Sequence, residues 1–177
     1  MKLSKSEAEC LYAGIVVDTK NFNFKTGVRT FEAASFLKKF GVDTIAIKRL
    51  FQTDFEDYKM RVNIVSHAEV IYKNIALSTC ELSNISNNES SIIVAQAADE
   101  LLDIGGISAS FVVCAAVDSV IISARSLDDI NVQVILETLG GGGHRTVAGV
   151  QLQDITIAEA KDKLTDAILK YLKENNK

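Results

Sequence analysis

Gly140-Gly141-Gly142-Gly143-His144-Arg145-Thr146-Val147-Ala148-Gly149 is the stretch against which the rest of the chain is read. Four successive glycines strip a short piece of backbone of its side chains. Such backbone takes positive φ freely and lets another group come close. The apolar run from Val132 to Leu139 precedes it, and Val150-Gln151-Leu152, with strand-like alternation, follows it. The glycines therefore sit at a junction between regular elements. Backbone N–H groups in such a turn can converge on an anion, and His144 adds a proton donor or a positive charge. That combination suits a phosphate. A flexible linker, or a helix C-cap followed by spare glycines, accounts for the four glycines equally well, so the stretch alone leaves these readings open.

Working outward, the chain of 177 residues has room for one ordinary domain or two small pieces, and 47% apolar residues suffice for a buried core. A net charge of −4 argues against a broad nucleic-acid binder, DNA included, because that task needs a basic surface. A few donors in a local phosphate site do not. The sequence contains no apolar run of membrane-spanning length and no signal-peptide pattern, so a soluble, cytoplasmic piece without membrane contact of its own is expected. Cys10, Cys80 and Cys114 are odd in number and far apart. They read as reduced, mostly buried thiols and not as a disulfide frame or a zinc site.

The first part of the chain reads as helical. Ser4 and Glu7 have capping-box spacing for a helix over 4–13. A second helix over 30–40 has Thr30 as cap, Ala33, Phe36, Leu37 and Phe40 on one face, and Gly41 as stop. A short apolar piece covers 44–51. A longer helix starts near Asp54, with Phe55, Tyr58, Val62 and Val65 as its apolar stripe. His67, near its end, is assigned no chemistry. Ile15 to Val17 is the one strand candidate here. It leads into Asp18-Thr19, which puts a carboxylate where the chain leaves the core. Metal ligands and phosphate-facing groups often stand there, and so do plain turn caps.

After residue 70 the texture changes. A strand over 74–82, a polar break, and a helix over 91–103 carrying Val94, Ala97, Ala98, Leu101 and Leu102 come first. Strands over 108–117 and 119–126 follow, then a turn at Asp128-Asp129 and a helix capped by Asn131. The glycine stretch, a strand and a last helix with a Thr156/Glu159 capping box complete the order, with Lys173 to Lys177 as a frayed end. The pattern β-α-β-β-α-β-α predicts an α/β domain over 71–177, preceded over 1–70 by the tail of another domain.

These residues together resemble a known family. Gly140 to Gly149 is similar to the GGGGHxxxAG signature of the DHHA1 domain, the C-terminal half of the DHH/DHHA1 phosphoesterases. Arg125-Ser126 resembles its "RS" step, and Ala13 to Thr19 resembles the "GIxxDT" motif near the end of the DHH domain. Asp18 to Phe22 and Thr26 to Ser35 resemble the membrane-anchored cyclic di-AMP phosphodiesterases of Firmicutes more than their soluble nanoRNA-degrading relatives. The likeness runs over essentially the whole chain.

The resemblance implies a DHHA1-type mixed β-sheet with packed helices, after a mostly helical remnant of the DHH domain. It implies a phosphodiesterase with two Mn2+ ions, which activate a water and clamp the phosphate while cyclic di-AMP is opened to the linear dinucleotide. Asp18 falls at the family's late metal-ligand aspartate. Gly141, Gly142, Gly143 and His144 would hold a phosphate, Arg125 would add a planar cationic fork, and Ser126 a hydroxyl. His144 stands as phosphate ligand or as proton donor, and Arg145 is read toward solvent.

The departures are equally specific. No Asp-His-His and no Asp-x-Asp occurs, and His67 and His144 stand alone. The other metal ligands are expected upstream of Met1, in a missing N-terminal DHH half whose parent is anchored in the cell membrane. The chain by itself is expected to fold in its second half and to hydrolyse little or nothing. Apolar surface left on residues 1–70 would drive either a homodimer or disorder of that part. Two other functions compete: the same chemistry on short oligoribonucleotides or adenosine bisphosphate, and a non-enzymatic DHHA1 module for tRNA binding or dimerisation. The Gly14 to Phe22 motif counts against the module.

Overall fold

The computed structural model describes residues 3–24, 26–127 and 129–175. Its residues gather into two compact units, 1–53 and 54–177. Of the expected Asp128-Asp129 turn, Asp128 lies outside the described residues, as do residues 176 and 177 of the expected frayed end.

The first unit is helical. α1 (Lys5–Asp18) starts from the capping box read in the sequence: Glu7 N–H donates to Ser4 Oγ, and Ser4 N–H donates to Glu7 Oε2. The helix runs on to Asp18, so Ile15 to Val17 are helical and not a strand. Extending a helix already nucleated adds one hydrogen bond per residue, which outweighs the weak reluctance of a β-branched run. α2 (Val28–Lys38) takes Gly27 as its N-cap, and Thr30 sits one turn inside, accepting the Gly27 N–H at 3.4 Å. The apolar piece after Gly41 is α3 (Thr44–Leu50), capped by Asp43, whose Oδ1 accepts from Ile45 N at 2.8 Å. Ala8, Leu37, Val42 and Ile47 form this unit's small core.

The second unit runs α4 (Phe55–Ser66), β1 (Glu69–Ile71), β2 (Ile75–Glu81), α5 (Asn87–Leu102), β3 (Ala109–Ala115), β4 (Val120–Ser126), α6 (Val132–Glu137), β5 (Gly142–His144), β6 (Val147–Leu152) and α7 (Ile157–Asn175). The sheet order is β1-β2-β3-β4-β6-β5. β2 and β3 pair in parallel through α5, and every other pairing is antiparallel. This is the mixed sheet expected, with two short edge strands, β1 and β5, added to it. α6 and α7 cover one face, over Phe111, Val113, Ile122 and Val150. α4 and α5 cover the other, over Ala76, Val112 and Cys114. Burial on both faces is why β3 is apolar on both sides save for Ser110.

α4 corrects one sequence reading. Phe55, Tyr58 and Val62, expected inward, are exposed, while Arg61 and Ile64 are buried. Arg61 can turn inward because α5 supplies polar partners: Nη1 donates to Gln96 Oε1 at 2.7 Å, and Nε lies 2.9 Å from Glu100 Oε1, a charge contact with poor hydrogen-bond alignment. A long side chain buries its stem and pairs its head. Since α4 packs on α5, the compact units divide before residue 54, upstream of the boundary read at residue 70.

On the other face, Asn131 opens α6, its Oδ1 accepting from Val134 N at 3.4 Å, and Asn131 N–H donates to the Tyr171 hydroxyl at 2.9 Å. Among the described residues, no helix is long and apolar enough to cross a membrane.

Candidate functional site

β5 and β6 form a hairpin around Arg145-Thr146, with Gly142 opposite Gly149, Gly143 opposite Ala148 and His144 opposite Val147. β6 continues the rows into β4, where Gly149 pairs with Ser123 and Val147 with Arg125. Directly opposed residues share a face of the sheet. One row is therefore His144, Val147, Arg125, and the next is Gly142, Gly149, Ser123. α5 packs over β3 and β4 on this face. Gly142, His144, Val147 and Gly149 stay exposed. The result is a shelf, poor in side chains, with Arg125 at its inner border.

The glycines divide by cause. Gly140 takes φ +84° just after α6, and Gly141 N–H bonds Leu136 O at 2.9 Å, so this end is a helix C-cap. A Cβ at Gly141 would meet Gly149 O at 2.6 Å and Val150 Cβ at 2.7 Å. One at Gly143, where φ is +147°, would run into Val147 O. The hairpin's own backbone requires both of those glycines. Gly142 is different: its φ is not positive, and a Cβ there meets nothing within 4 Å. The linker alternative falls away, because Gly142 to His144 is paired strand.

Arg125 is held from three sides. Nε donates to Asp99 Oδ1 at 3.1 Å, and Nη1 donates to Ser123 Oγ at 3.0 Å and to Ala124 O at 2.9 Å. Nη2 makes no hydrogen bond to the described residues, and the side chain is 11% exposed. The planar fork is thus fixed by the fold's own contacts. His144 stands exposed at the end of β5, and Arg145 is exposed in the turn.

Ser126 is not brought to this face. It pairs with Ala109, which belongs to the α6/α7 side, and its buried Oγ has no hydrogen-bond partner there. Asp18 is the exposed last residue of α1, in the other unit. Among the described residues, no three His, Cys, Asp or Glu side chains gather as a metal group. One carboxylate does not fit a divalent metal centre, which needs several hard donors.

Three features escaped the sequence reading. Asp99 and Ser123 hold Arg125, yet one looks like an ordinary helix-surface acid and the other like a strand serine; only the strand register brings them together. Behind Asp18, Lys20, Asn21 and Phe22 all have positive φ. That unusual run costs energy, and the surrounding contacts hold it: Asn21 N–H bonds Val16 O at 2.8 Å, and the Phe22 ring stacks on Phe31 at 5.6 Å. The cysteines are less uniformly buried than expected: Cys10 is exposed, Cys80 half-buried and Cys114 buried. Cys80 and Cys114 face each other across β2 and β3. The Cys114 thiol first, and burial second, push the Cys80 thiol well above its ordinary value.

Comparison with known proteins matches this architecture. Over 97% of its length the chain is 46% identical to the cyclic-di-AMP phosphodiesterase PdeA of Listeria monocytogenes, and spans 26% of that protein. It is 44% identical to the cyclic-di-AMP phosphodiesterase GdpP of Geobacillus thermodenitrificans, again over 97% of this chain and 26% of the relative. The chain therefore covers about a quarter of the length of these relatives. Among solved structures, an exopolyphosphatase-related protein from Bacteroides fragilis superposes with a TM-score of 0.79 at 22% identity, over 95% of this chain and 51% of that one. That likeness concerns the fold. Residues 68–174, from the end of α4 to the end of α7, match the DHHA1 domain, and the chain belongs to the DHHA1 domain family.

Proposed function

We propose that this chain is the substrate-gripping part of a manganese-dependent phosphodiesterase that opens cyclic di-AMP to the linear dinucleotide. One observation carries the grip. Gly142 lacks a side chain that nothing in its own fold excludes, on the face that also presents His144 and the Arg125 guanidinium. A phosphoryl group resting on the β5–β6 backbone would use that clearance, with the imidazole and Nη2 as donors. The likeness to PdeA and GdpP supports the choice of nucleotide. Most metal donors would come from the rest of a longer protein, with Asp18 as one of them.

Calorimetric titration of the purified chain with cyclic di-AMP tests the grip. Wild type is expected to bind. His144→Ala and Arg125→Ala are each expected to weaken binding about tenfold or more, the usual scale for losing a charge-assisted contact. Gly142→Ala is expected to weaken binding without moving the thermal midpoint, because only the ligand meets the new methyl group. If none of the three variants alters affinity, the shelf is not the site. Tighter binding of a short oligoribonucleotide or adenosine bisphosphate reassigns the substrate. The chain alone, given manganese, is expected to release no linear dinucleotide; ready turnover would overturn the outside origin of the metal donors.

A further inference from the structure

Two of the three Arg125 nitrogens are engaged by the protein, and one of the anchors is a carboxylate. Placing a negative charge beside a face that receives an anion is unfavourable unless the charge serves the site. α5 has no need of this ion pair to hold the sheet. Val94, Ala97, Ala98 and Leu101 are buried against it, and Ser110 Oγ donates to Ala98 O at 2.6 Å. The Asp99–Arg125 pair also links α5 to the row that ends in His144.

We infer that Asp99 is a positioning residue for the phosphate-binding shelf. Its Oδ1 holds Arg125 Nε at 3.1 Å while Ser123 Oγ and Ala124 O hold Nη1, and the guanidinium is left with Nη2 to offer. Freezing the fork beforehand removes the ordering cost that a mobile arginine would incur on binding. Asp99 acts through Arg125 and does not itself touch the substrate. The inference rests on the reading of the shelf as a phosphate site.

A double-mutant cycle on the full chain, read by calorimetric titration with cyclic di-AMP, tests it. Asp99→Asn, which keeps the shape and removes the charge, is expected to weaken binding about five- to tenfold, and only when Arg125 is present. In an Arg125→Ala background the same change is expected to have no further effect. Asp99→Glu is expected to recover most of the loss, since it restores a carboxylate to the pair. If Asp99→Asn binds like wild type while Arg125→Ala is weakened, Asp99 has no positioning role, and the shelf reading survives. If Asp99→Asn weakens binding equally in both backgrounds and lowers the thermal midpoint, its role is structural and the inference is overturned. If wild type binds no cyclic di-AMP, the shelf reading and the inference fall together.

Discussion

A methyl group added at Gly143 drives a Cβ into the Val147 carbonyl and forces a side chain onto φ +147°. One added at Gly141 collides with Gly149 O and Val150 Cβ. Gly141→Ala and Gly143→Ala are each expected to destabilise the fold by about 1–3 kcal/mol, the usual range for an overpacked site. Gly142→Ala, by contrast, is expected to stay within about 0.5 kcal/mol of wild type, as open surface positions do. Thermal denaturation of the three variants checks the contrast, and a large loss at Gly142 would remove the argument built on its clearance. The glycine run was legible as a motif from its letters. Which glycine serves the hairpin and which stays clear was not, because the answer lies in the partner strand β6. Arg125 was legible in the same way, and Ser126 beside it shows the limit: neighbours in a strand point to opposite faces.

At the scale of elements, local capping chemistry was the most readable layer. Both predicted capping boxes are present, at Ser4/Glu7 and Thr156/Glu159, and the structure adds a third at Ser86/Glu89, inside what reads in the sequence as a polar break. Each box holds its glutamate below the ordinary carboxylate value. For Glu7 and Glu89 the cap hydroxyl is the main cause and the cap N–H the second; for Glu159 the Thr156 N–H comes first. A lowered folded value means that the folded state binds fewer protons in the acid range. The stabilisation is therefore complete above the ordinary carboxylate value and is lost as pH falls through the lowered one. Ser86→Ala is expected to cost about 1 kcal/mol near neutral pH through the start of α5. Its deficit against wild type is expected to shrink at strongly acid pH, as Glu89 takes up its proton and the box loses its charge-assisted contacts. Melting curves at the two pH values measure the difference, and a deficit that does not change with pH would contradict the account. Apolar periodicity was a poorer guide at α4, because the inward residue Arg61 is made affordable by Gln96 and Glu100 on another helix.

Across the whole molecule, burial is unevenly shared. The second unit buries apolar side chains on both faces of its sheet, and Phe111, Val112, Val113 and Ile122 are wholly enclosed. Among the described residues, the first unit buries only Ala8, Ala34, Leu37, Val42 and Ile47 as apolar side chains, and leaves Val28, Phe31, Ile45 and Leu50 exposed. Amide hydrogen exchange is expected to be slowest in β3 and β4 and at least about a hundredfold faster throughout α2 and α3. Equal protection in both units would count against this division. The order of the sheet was only partly legible, because strands as short as β1 and β5 carry too few side chains to show an alternation. The Tyr171 hydroxyl acts on a segment far from it in sequence. It satisfies the amide of Asn131, forty positions earlier in the chain, where the segment through α6 to Gly140 begins. Tyr171→Phe orphans that amide, at a cost of about 1 kcal/mol, and loosens the footing from which the glycine turn departs. If the shelf holds a nucleotide as proposed, trimming the carboxyl-terminal helix short of this tyrosine would thus blunt its capture, a defect that alanine scanning confined to the shelf would never trace.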